Sequence, residues 1–364
     1  MTIDPGTIPS RKPGEDAEDG EGARRDGPVL LSEVAARAGV SLATASRVLS
    51  GRRSVGEPYR GRVLAAARDL RYTPNAQAQA VARGASNVVG LLIHDVLDPY
   101  FSSIASGVMR HVEERDLVVF LASTHSDPDR ELEYVATMRS HRARGLIICG
   151  SRTTDRLHTE RLVKELEGFR AAGGRAAVIS QNRLGTHAVV PQNRAGARRL
   201  ARELCRLGHR QFAVLAGPVH VLASRDRVTG FREGLADEGC DPEGVTVLHG
   251  RFTREGGEQL ASELVAAGLR ATCVFAVNDV MALGALSALR REGVRVPDDV
   301  SLAGFDDITT LRDVVPALTT VRLPLEEMGA RAAQLALDSD PASPPRAVKV
   351  HADVVLREST RPLV

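Results

Sequence analysis

Residues 32–51 read SEVAARAGVSLATASRVLSG and carry the clearest structural signals in the N-terminal part of the chain. Ser32 is a candidate N-cap for a first short helix, and Gly39 is placed to end that helix in a left-handed turn. Ser41 then caps a second helix over Leu42–Leu49. Two short helices joined by a turn of three or four residues that contains glycine are typical of a helix-turn-helix. The stretch therefore predicts a DNA-binding motif.

A third helix is predicted to begin at Glu57-Pro58, because proline favours the first helical position. Its apolar residues recur at helical spacing and are Val63, Leu64, Ala67 and Leu70. The other two helices contribute small apolar residues to the same core, namely Ala35, Val40, Ala45 and Val48. A plain bundle of three short helices is the alternative interpretation of this pattern.

The positive charge of the chain is concentrated in this region. The chain has 364 residues, with 48 Lys and Arg against 46 Asp and Glu, and a net charge of only +2. Residues 28–86 alone carry nine Arg and three acids, a net charge of +6, whereas residues 1–27 carry −3. A concentrated positive segment is typical of a protein that binds a polyanion. Together with the caps and the turn, this charge favours DNA binding over a plain bundle.

The outward face of the second helix supplies the candidate contacts to DNA. Arg47 is suited to a bidentate contact with the O6 and N7 atoms of guanine, whereas Leu42 and Ala43 offer apolar contact to a thymine methyl group. Polar residues nearby are better suited to phosphates, which position a protein without specifying sequence. The further candidates for DNA binding are Ser32, Ser41, Thr44, Ser46 and Arg52.

The overall composition is that of a globular protein. Hydrophobic residues make up 43% of the chain and charged residues 26%, and no apolar run approaches the roughly 18–20 residues of a membrane span. The N-terminus lacks the apolar segment of a secretory signal, so a cytoplasmic location is predicted. Residues 1–27 are predicted to form a disordered tail. The four cysteines form no CxxC motif and are predicted to be free thiols; they are Cys149, Cys205, Cys240 and Cys273.

Beyond residue 87, short apolar runs alternate with amphipathic helical stretches, which predicts parallel sheets covered by helices. The remaining length is too great for one such sheet, so two similar lobes are expected. Because ligands of open α/β sheets bind at the carboxyl ends of the strands, the candidate site is the cleft between the lobes. The predicted strands are Val88–Ile93, Leu117–Ala122, Leu146–Cys149, Ala176–Ile179, Phe212–Ala216, Val245–Leu248, Thr272–Val277 and Val300–Gly304.

Several motifs, in this order, resemble the lac repressor (LacI/GalR) family of bacterial transcriptional regulators. Residues 32–51 resemble the DNA-binding head of the family, and RYTPNAQAQAVARG at 71–84 resembles its hinge segment. The later motifs are GLLIHDVLDPYF at 90–101, FAVNDVMALGALSAL at 275–289, GVRVPDDVSLAGFDDI at 293–308 and PALTTVRLPLEEMG at 316–329. The resemblance implies an α/β fold, with a three-helix helix-turn-helix head and a hinge helix before a two-lobed core like that of type I periplasmic binding proteins.

The resemblance also implies a ligand-responsive repressor. As a homodimer, such a protein sets two recognition helices in a pseudo-palindromic operator on double-stranded DNA, and a small carbohydrate-like effector in the cleft controls its affinity. The hinge would enter the minor groove, with Asn75, Ala78 and Val81 as candidate contacts. Val81 stands where the family uses a leucine wedge, so a shallower insertion is expected. Tyr59 stands where a threonine that contacts phosphate is common.

Candidate effector-binding residues follow from the same resemblance. Arginine and aspartate side chains hold vicinal hydroxyl groups, and an aromatic ring covers the apolar face of a sugar. For Phe252 and Tyr100, packing in the core is the alternative, and Asn182 stands where the family has an acid, so another small polar ligand also fits. The full set is Asp98, Tyr100, Phe101, Asn182, Arg225, Phe252, Asn278, Asp279 and Asp306.

The expected domains are a tail over 1–27, the helix-turn-helix over 28–74, a hinge helix and linker over 75–86, and two lobes at 87–191 with 322–340 and at 192–321 with 341–364. No catalytic residue, metal or cofactor is predicted. Control by a partner protein or a non-sugar ligand is the alternative for the regulator. A sugar-modifying enzyme with a fused helix-turn-helix is disfavoured, because the sequence contains no recognisable nucleophile or nucleotide-binding motif.

Overall fold

The computed structural model describes residues 29–50, 55–73, 86–340 and 343–363. The chain divides into two compact units, one ending at Asn75 and the other beginning at Ala76. Several predicted features lie outside the described residues: the tail 1–27, most of the hinge, and the candidate DNA contacts Arg52, Asn75, Ala78 and Val81.

The described residues of the first unit, 29–50 and 55–73, form three helices around a small apolar core. The helices are α1 (Leu31–Ala38), α2 (Leu42–Leu49) and α3 (Glu57–Asp69). Gly39 takes a φ of 63° between the first two helices, the left-handed conformation that glycine adopts without strain. The core residues come from all three helices and include Val34, Ala35, Ala45, Val48 and Val63.

The N-terminus of α1 differs from the prediction. The N-cap is Leu30 rather than Ser32, and the Glu33 carboxylate accepts a hydrogen bond from the Leu30 backbone N–H at 2.9 Å. An acid at the third helical position thus takes the capping role, which frees Ser32 on the exposed surface. At α2 the predicted cap is present, because Ser41 Oγ accepts from the Thr44 N–H at 3.2 Å.

The first lobe of the second unit is built on a parallel sheet. Its strands are β1 (Val88–Ile93), β2 (Val118–Ser123), β3 (Gly145–Cys149), β4 (Arg175–Ile179), β5 (His187–Pro191) and β11 (Ala347–Val350). They lie in the order β11-β5-β4-β3-β1-β2, so β2 ends the sheet on one side. Alternate residues of β1 face opposite ways: Leu91 and Ile93 join one core cluster and Leu92 another. The helices of this lobe are α4 (Pro99–Glu113), α5 (Pro128–Ser140), α6 (Arg156–Ala171) and α11 (Leu325–Asp338).

The second lobe is built on a four-stranded parallel sheet. Its strands are β6 (Phe212–Ala216), β7 (Thr246–His249), β8 (Cys273–Ala276) and β9 (Ser301–Ala303), in the order β7-β6-β8-β9. Its helices are α7 (Asn193–Arg206), α8 (Leu222–Asp237), α9 (Arg254–Ala266) and α10 (Asp279–Arg291). A separate antiparallel pair joins β10 (Thr320–Arg322) and β12 (Asp353–Val355).

The position of β11 corrects the predicted assignment of residues 341–364 to the second lobe. Strand β11 pairs in parallel with β5, from Ala347 opposite Ala188 to Val350 opposite Pro191, and so completes the sheet of the first lobe. Since α11 packs on the first lobe, the strand that follows it returns to that same sheet. The end of the chain does reach the second lobe, where Leu302 N–H donates to Ser359 O at 2.8 Å.

Helices α7 and α8, which both carry side chains of the candidate ligand site, pack closely against each other. Gly230 on α8 lies so close to the backbone of Arg194 on α7 that an added Cβ would collide with the Arg194 carbonyl oxygen. A larger residue there would push apart two helices that carry side chains of the candidate ligand site.

Among the described residues, none of the helices is long and apolar enough to cross a membrane. All four cysteines are buried and free.

Candidate functional site

The outward face of α2 is the candidate surface for reading DNA. Ala45 and Val48 are buried, whereas Leu42 is 53% exposed, an unusual state for a leucine in a small core-forming helix. The other residues of this exposed face are Ser41, Ala43, Ser46 and Arg47. Their exposure on one helix side leaves them free to enter a major groove, as the helix-turn-helix arrangement requires.

Two polar contacts organise this face. The hydroxyl oxygens of Ser41 and Thr44 lie 2.9 Å apart at the start of α2, and Thr44 is half-buried. Arg47 Nε donates to the Ala43 carbonyl oxygen at 3.2 Å, which draws the guanidinium along the helix surface. On α3, Tyr59 is 49% exposed, and the guanidinium of Arg62 lies 5.1 Å from the centre of its ring. Arg47 and Tyr59 both remain accessible to a polyanion.

The second candidate site lies at the carboxyl ends of the strands of the second unit, beginning at β1. Asp98 caps α4 by accepting from the Tyr100 N–H at 2.9 Å, and burial raises the pKa of this carboxyl. The half-buried Tyr100 ring meets Phe101 edge-on with the ring centres 5.0 Å apart. Phe101 itself is 8% exposed and belongs to the core cluster, so its role is packing.

Arg227 is the central cation of the cleft, and the sequence analysis missed it. This side chain on α8 is 3% exposed. Its Nε donates to Asn193 Oδ1 at 3.0 Å, and its Nη2 donates to Asp306 Oδ1 at 2.8 Å. Its Nη1 donates to the Val277 carbonyl oxygen, and the guanidinium lies 3.9 Å from the centre of the Phe305 ring. One arginine thus connects α7, α8 and the ends of β8 and β9.

The structure does not bring Arg225, a predicted effector-binding residue, into this buried cluster. Arg225 lies on α8 two positions before Arg227, and its side chain is exposed. Two positions along a helix turn a side chain by about 200°, to the opposite face. The sequence did contain the signal, because the buried residues of α8 recur at helical spacing and include Leu222, Ala223, Arg227, Gly230 and Phe231.

Asp306 sits in an unusual backbone conformation at the end of β9. Its φ is 122°, and its N–H donates to the Val321 carbonyl oxygen at 2.7 Å. A non-glycine residue held there indicates local strain that the surroundings must support. Burial raises the pKa of the Asp306 carboxyl despite the adjacent Arg227. The predicted Asp306 therefore lies in the cleft, hydrogen-bonded to Arg227.

Asn278 and Asp279, which were predicted to bind the effector, make hydrogen bonds within the second lobe. Asn278 Oδ1 caps α10 by accepting from the Met281 N–H at 2.9 Å. Both carboxylate oxygens of the fully buried Asp279 are taken, by the Thr320 hydroxyl at 2.7 Å and the Ile308 N–H at 2.9 Å. Burial raises the pKa of Asp279 to about 7. Their polar atoms hold β10 and the loop after β9 against α10.

Phe252 packs against the chain that follows β6, and Asn182 lies in the loop after β4. The half-buried Phe252 ring packs against Gly217 so closely that a Cβ there would collide with it, which favours the packing role. Asn182 is exposed in the loop after β4. Its neighbour Gln181 instead links the two lobes: Oε1 accepts from the Arg152 N–H of the first lobe at 3.0 Å, and Nε2 donates to Asp226 of the second lobe at 3.4 Å.

A buried ionic group lies in the first lobe, where β3 ends. Both terminal nitrogens of Arg152 donate to the carboxylate of Glu131 at 2.8 Å, and His158 Nε2 lies 2.8 Å from the same carboxylate. Burial opposes ionisation of Glu131, but the Arg152 charge and the hydrogen bonds lower its pKa to about 2. Burial lowers the pKa of the neighbouring His94 to about 4, so this imidazole is neutral at pH 7.

Glu131→Gln is expected to flatten the acid limb of the stability curve. Because the folded pKa lies below the ordinary value of 4.5, the carboxylate contributes stability that is fully present above that pH and is lost as pH falls towards 2. The contribution is about 3 kcal/mol. Urea denaturation between pH 3 and pH 7 measures it, and Glu133→Gln, at an exposed position on the same helix, should keep the wild-type slope. Equal slopes in both variants would contradict the assignment.

Both the N-terminal part and the two-lobed part of the chain match known protein families. Residues 30–75 match the family described as bacterial regulatory proteins, lacI family, and residues 201–360 match the periplasmic binding protein-like domain. The regulator DegA of Bacillus subtilis is 29% identical over 337 residues, covering 92% of this chain and 98% of its own. GalR of Escherichia coli (strain K12) is 32% identical over 307 residues, covering 84% and 88%.

Solved structures show the same relationship. A lac repressor dimer bound to operator and the anti-inducer ONPF has a TM-score of 0.76 and 26% identity, over 92% of this chain and all of its own. The complex of the regulator CelR with cellobiose has a TM-score of 0.65 and 29% identity, over 91% and 99%. The likeness extends over both described units of the chain.

Proposed function

Because this chain belongs to the lacI family of bacterial regulatory proteins, we propose that it is a repressor that binds a pseudo-palindromic operator as a homodimer. Family membership makes it a DNA-binding transcriptional regulator rather than an enzyme. In the proposal, a small polar ligand in the cleft around Arg227 controls its affinity for DNA. DNA binding by this chain is supported by the exposed face of α2, where apolar Leu42 and cationic Arg47 lie together.

Base recognition is assigned to Arg47, Leu42 and Ala43. Among side chains on the exposed face of α2, Arg47 carries the guanidinium fork that matches guanine O6 and N7. Ser41, Thr44 and Ser46 have short hydroxyl groups, which suit phosphate contacts along the groove. The exposed Tyr59, on the first turn of α3, is assigned to a phosphate as well, through its hydroxyl group.

Arg47→Ala is expected to weaken specific DNA binding by about 1–3 kcal/mol and to relax the preference at one base pair. Fluorescence anisotropy on a site selected from random duplexes, and on its single-base variants, measures both effects. Arg37→Ala is the matched control, because it removes the same charge from α1, where Arg37 pairs with Asp69 at 3.8 Å. If Arg47→Ala leaves the preferred base unchanged at every position, another residue reads it.

The cleft favours a ligand with several hydroxyl groups. Arg227, Asn193 and Asp306 place donors and acceptors in one buried cluster, and the half-buried Asp98 and Tyr100 lie at the end of β1 in the other lobe. Closely placed charged and amide groups match vicinal hydroxyls. CelR was solved with cellobiose, and a regulator of this family from Enterococcus faecium was solved with ribose, which supports a carbohydrate-like ligand here.

A thermal-shift screen tests the ligand part of the proposal. Cellobiose, ribose, other sugars, sugar phosphates and nucleosides are the compounds to compare, because a ligand that binds only the folded state raises the melting temperature. At least one compound is expected to raise it and to change the affinity for the selected DNA site. No stabilising compound in any class would contradict control by a small ligand and favour a partner protein.

The proposed dimer uses the free edge of the first sheet. Strand β2 pairs with β1 on one side, and its residues Val118 and Phe120 are 59% and 54% exposed. Exposed apolar residues on an edge strand are a common feature of interfaces between chains. A second copy related by a two-fold axis would cover the same residues and present two α2 helices to a symmetric operator.

A further inference from the structure

The two lobes are joined by hydrogen bonds at a place where the chain does not cross between them. Residues 151–154, which follow β3, meet residues 218–223, which follow β6; this pair of segments is here named the clasp. Thr153 and Val221 form an antiparallel bridge. Thr154 N–H donates to His220 O at 2.9 Å, and Leu222 N–H donates to Arg152 O at 2.9 Å.

A side chain extends the clasp by one further bond. The Ala223 N–H donates to Ser151 Oγ at 2.9 Å, so three amide donors of the clasp are satisfied across the lobe boundary. Two of these donors, Leu222 and Ala223, are at the first turn of α8, where a helix leaves its N–H groups without partners of its own. The first lobe therefore supplies hydrogen-bond partners for the N-terminus of the helix that carries Arg227.

The covalent connections between the lobes lie elsewhere. Within residues 86–340 and 343–363, the chain crosses between the lobes at residues 191–193, at 322–325 and at 350–353, from strands β5, β10 and β11. The clasp instead follows β3 and β6. Its hydrogen bonds can break while the three connections stay intact, which is the property of a contact that opens in a hinge motion.

On the first-lobe side of the clasp, the side chain of Arg152 is held by a buried ion pair. Arg152 contributes its carbonyl oxygen to the clasp, and its buried guanidinium is held by the Glu131 carboxylate of α5. His158 of α6 contacts the same carboxylate. Two helices thus fix the backbone of the clasp in one position, and the charge-assisted pair between Arg152 and Glu131 is the strong type of contact.

Gln181 adds a further link between the lobes beside the clasp, because its side-chain amide can accept one hydrogen bond and donate another. Its Oε1 accepts from Arg152 N–H in the first lobe, and its Nε2 donates to the Asp226 carboxylate in the second. An ionised glutamate at this position has no donor and would place a second negative charge beside Asp226. A like-charge contact at this place would push the lobes apart.

We propose that the clasp is the contact that holds the lobes closed and opens as one unit when the cleft opens, with Gln181 and Glu131 as its positioning residues. The role of the clasp in regulation rests on the proposed function of the cleft as a ligand site. Its opening is a property of the protein without DNA or ligand, so it is measurable independently of that function.

Hydrogen–deuterium exchange of the full-length protein, read by mass spectrometry, tests the proposal with Gln181→Glu. Exchange at the amides of Thr154, Leu222 and Ala223 is expected to rise together by about tenfold or more, on both lobes. Gln259→Glu is the matched control: Gln259 Nε2 donates to Glu263 at 2.9 Å within α9, so the same repulsion is created inside one lobe. This control should leave the clasp amides at the wild-type rate.

Two further variants keep the test decisive. Glu131→Gln should also raise exchange at Leu222 and Ala223, although the substitution lies in the other lobe. Ser151→Ala removes a single acceptor and should affect mainly Ala223. Because a loss of global stability would raise exchange in β3 as well, the ratio of clasp to β3 exchange is the readout. An unchanged ratio at residues 222–223 in Gln181→Glu, or the same change in Gln259→Glu, would overturn the proposal.

Discussion

Replacing Arg227 with alanine is expected to lower the free energy of unfolding by about 3–5 kcal/mol and to abolish binding in the cleft. The substitution removes hydrogen bonds to Asn193, Val277 and Asp306 at once. It also leaves Asp306, which is 4% exposed, without its cation, and an uncompensated buried charge is costly. Urea denaturation measures the first effect, and the melting-temperature increase given by a ligand from the screen measures the second.

Arg225→Ala is the control for this prediction. It removes the same side chain two positions earlier on α8, from an exposed site, and should change the free energy of unfolding by no more than about 0.5 kcal/mol. Arg227→Met retains much of the side-chain volume, and so separates loss of charge from loss of packing. Equal losses for Arg225→Ala and Arg227→Ala would contradict the assignment of Arg227 as the central cation of the cleft.

Phe120→Glu is expected to convert the protein to a monomer and to weaken operator binding by about a hundredfold or more. A glutamate in the middle of the β2 edge would bury one negative charge from each protomer in the proposed two-fold interface, and desolvation of both charges is costly. Without the dimer, each half-site is bound separately, and the gain from simultaneous binding of two heads is lost. Sedimentation velocity gives the oligomeric state, and gel-shift titration gives the affinity.

Val315→Glu provides the comparison for the dimer. Val315 is 75% exposed in the second lobe, and a glutamate there should leave both the sedimentation coefficient and the DNA affinity unchanged. Circular dichroism of both variants shows whether they are folded. A Phe120→Glu variant that stays dimeric would locate the interface on another surface of the chain.

Local signals predicted the first unit well. The Gly39 turn, the Ser41 cap and the proline at the start of α3 each depend on a few neighbouring residues, and all three are where the sequence indicated. The predicted cap of α1 failed because the helix begins at Leu31, so Ser32 lies inside the first turn. The Glu33 carboxylate, at the third helical position, supplies the capping contact instead.

The sequence indicated where the polar side chains of the second site lie, but the buried arginine among them is one that was not singled out. The ends of β1, β8 and β9 carry the expected polar side chains, but Arg225 was chosen where Arg227 is buried. The face of a helix follows from which of its positions are buried, and a run such as SRDRV offers two arginines on opposite faces. The burial of Asp279 was also missed, because its partners Thr320 and Ile308 lie far along the chain.

Long-range strand pairing explains why the predicted lobe of residues 341–364 differs from the lobe in which β11 lies. The residues of β11 and β5 carry no local signal as clear as that of β1, and β11 pairs with β5 across more than 150 residues of sequence. Edge strands of this kind are specified by the sheet that receives them, rather than by their own propensity. The assignment of residues 341–364 to one lobe failed for that reason.

Selection of binding sites from random DNA duplexes with the full-length protein is the strongest test of symmetric operator binding. A dimer with two α2 helices predicts a two-fold symmetric site of roughly 14–20 base pairs, with conserved half-sites and a guanine in each that depends on Arg47. Repeating the selection with a stabilising ligand should change the affinity for this site without changing its sequence. Enrichment of no symmetric site, or of an asymmetric one, would contradict the account.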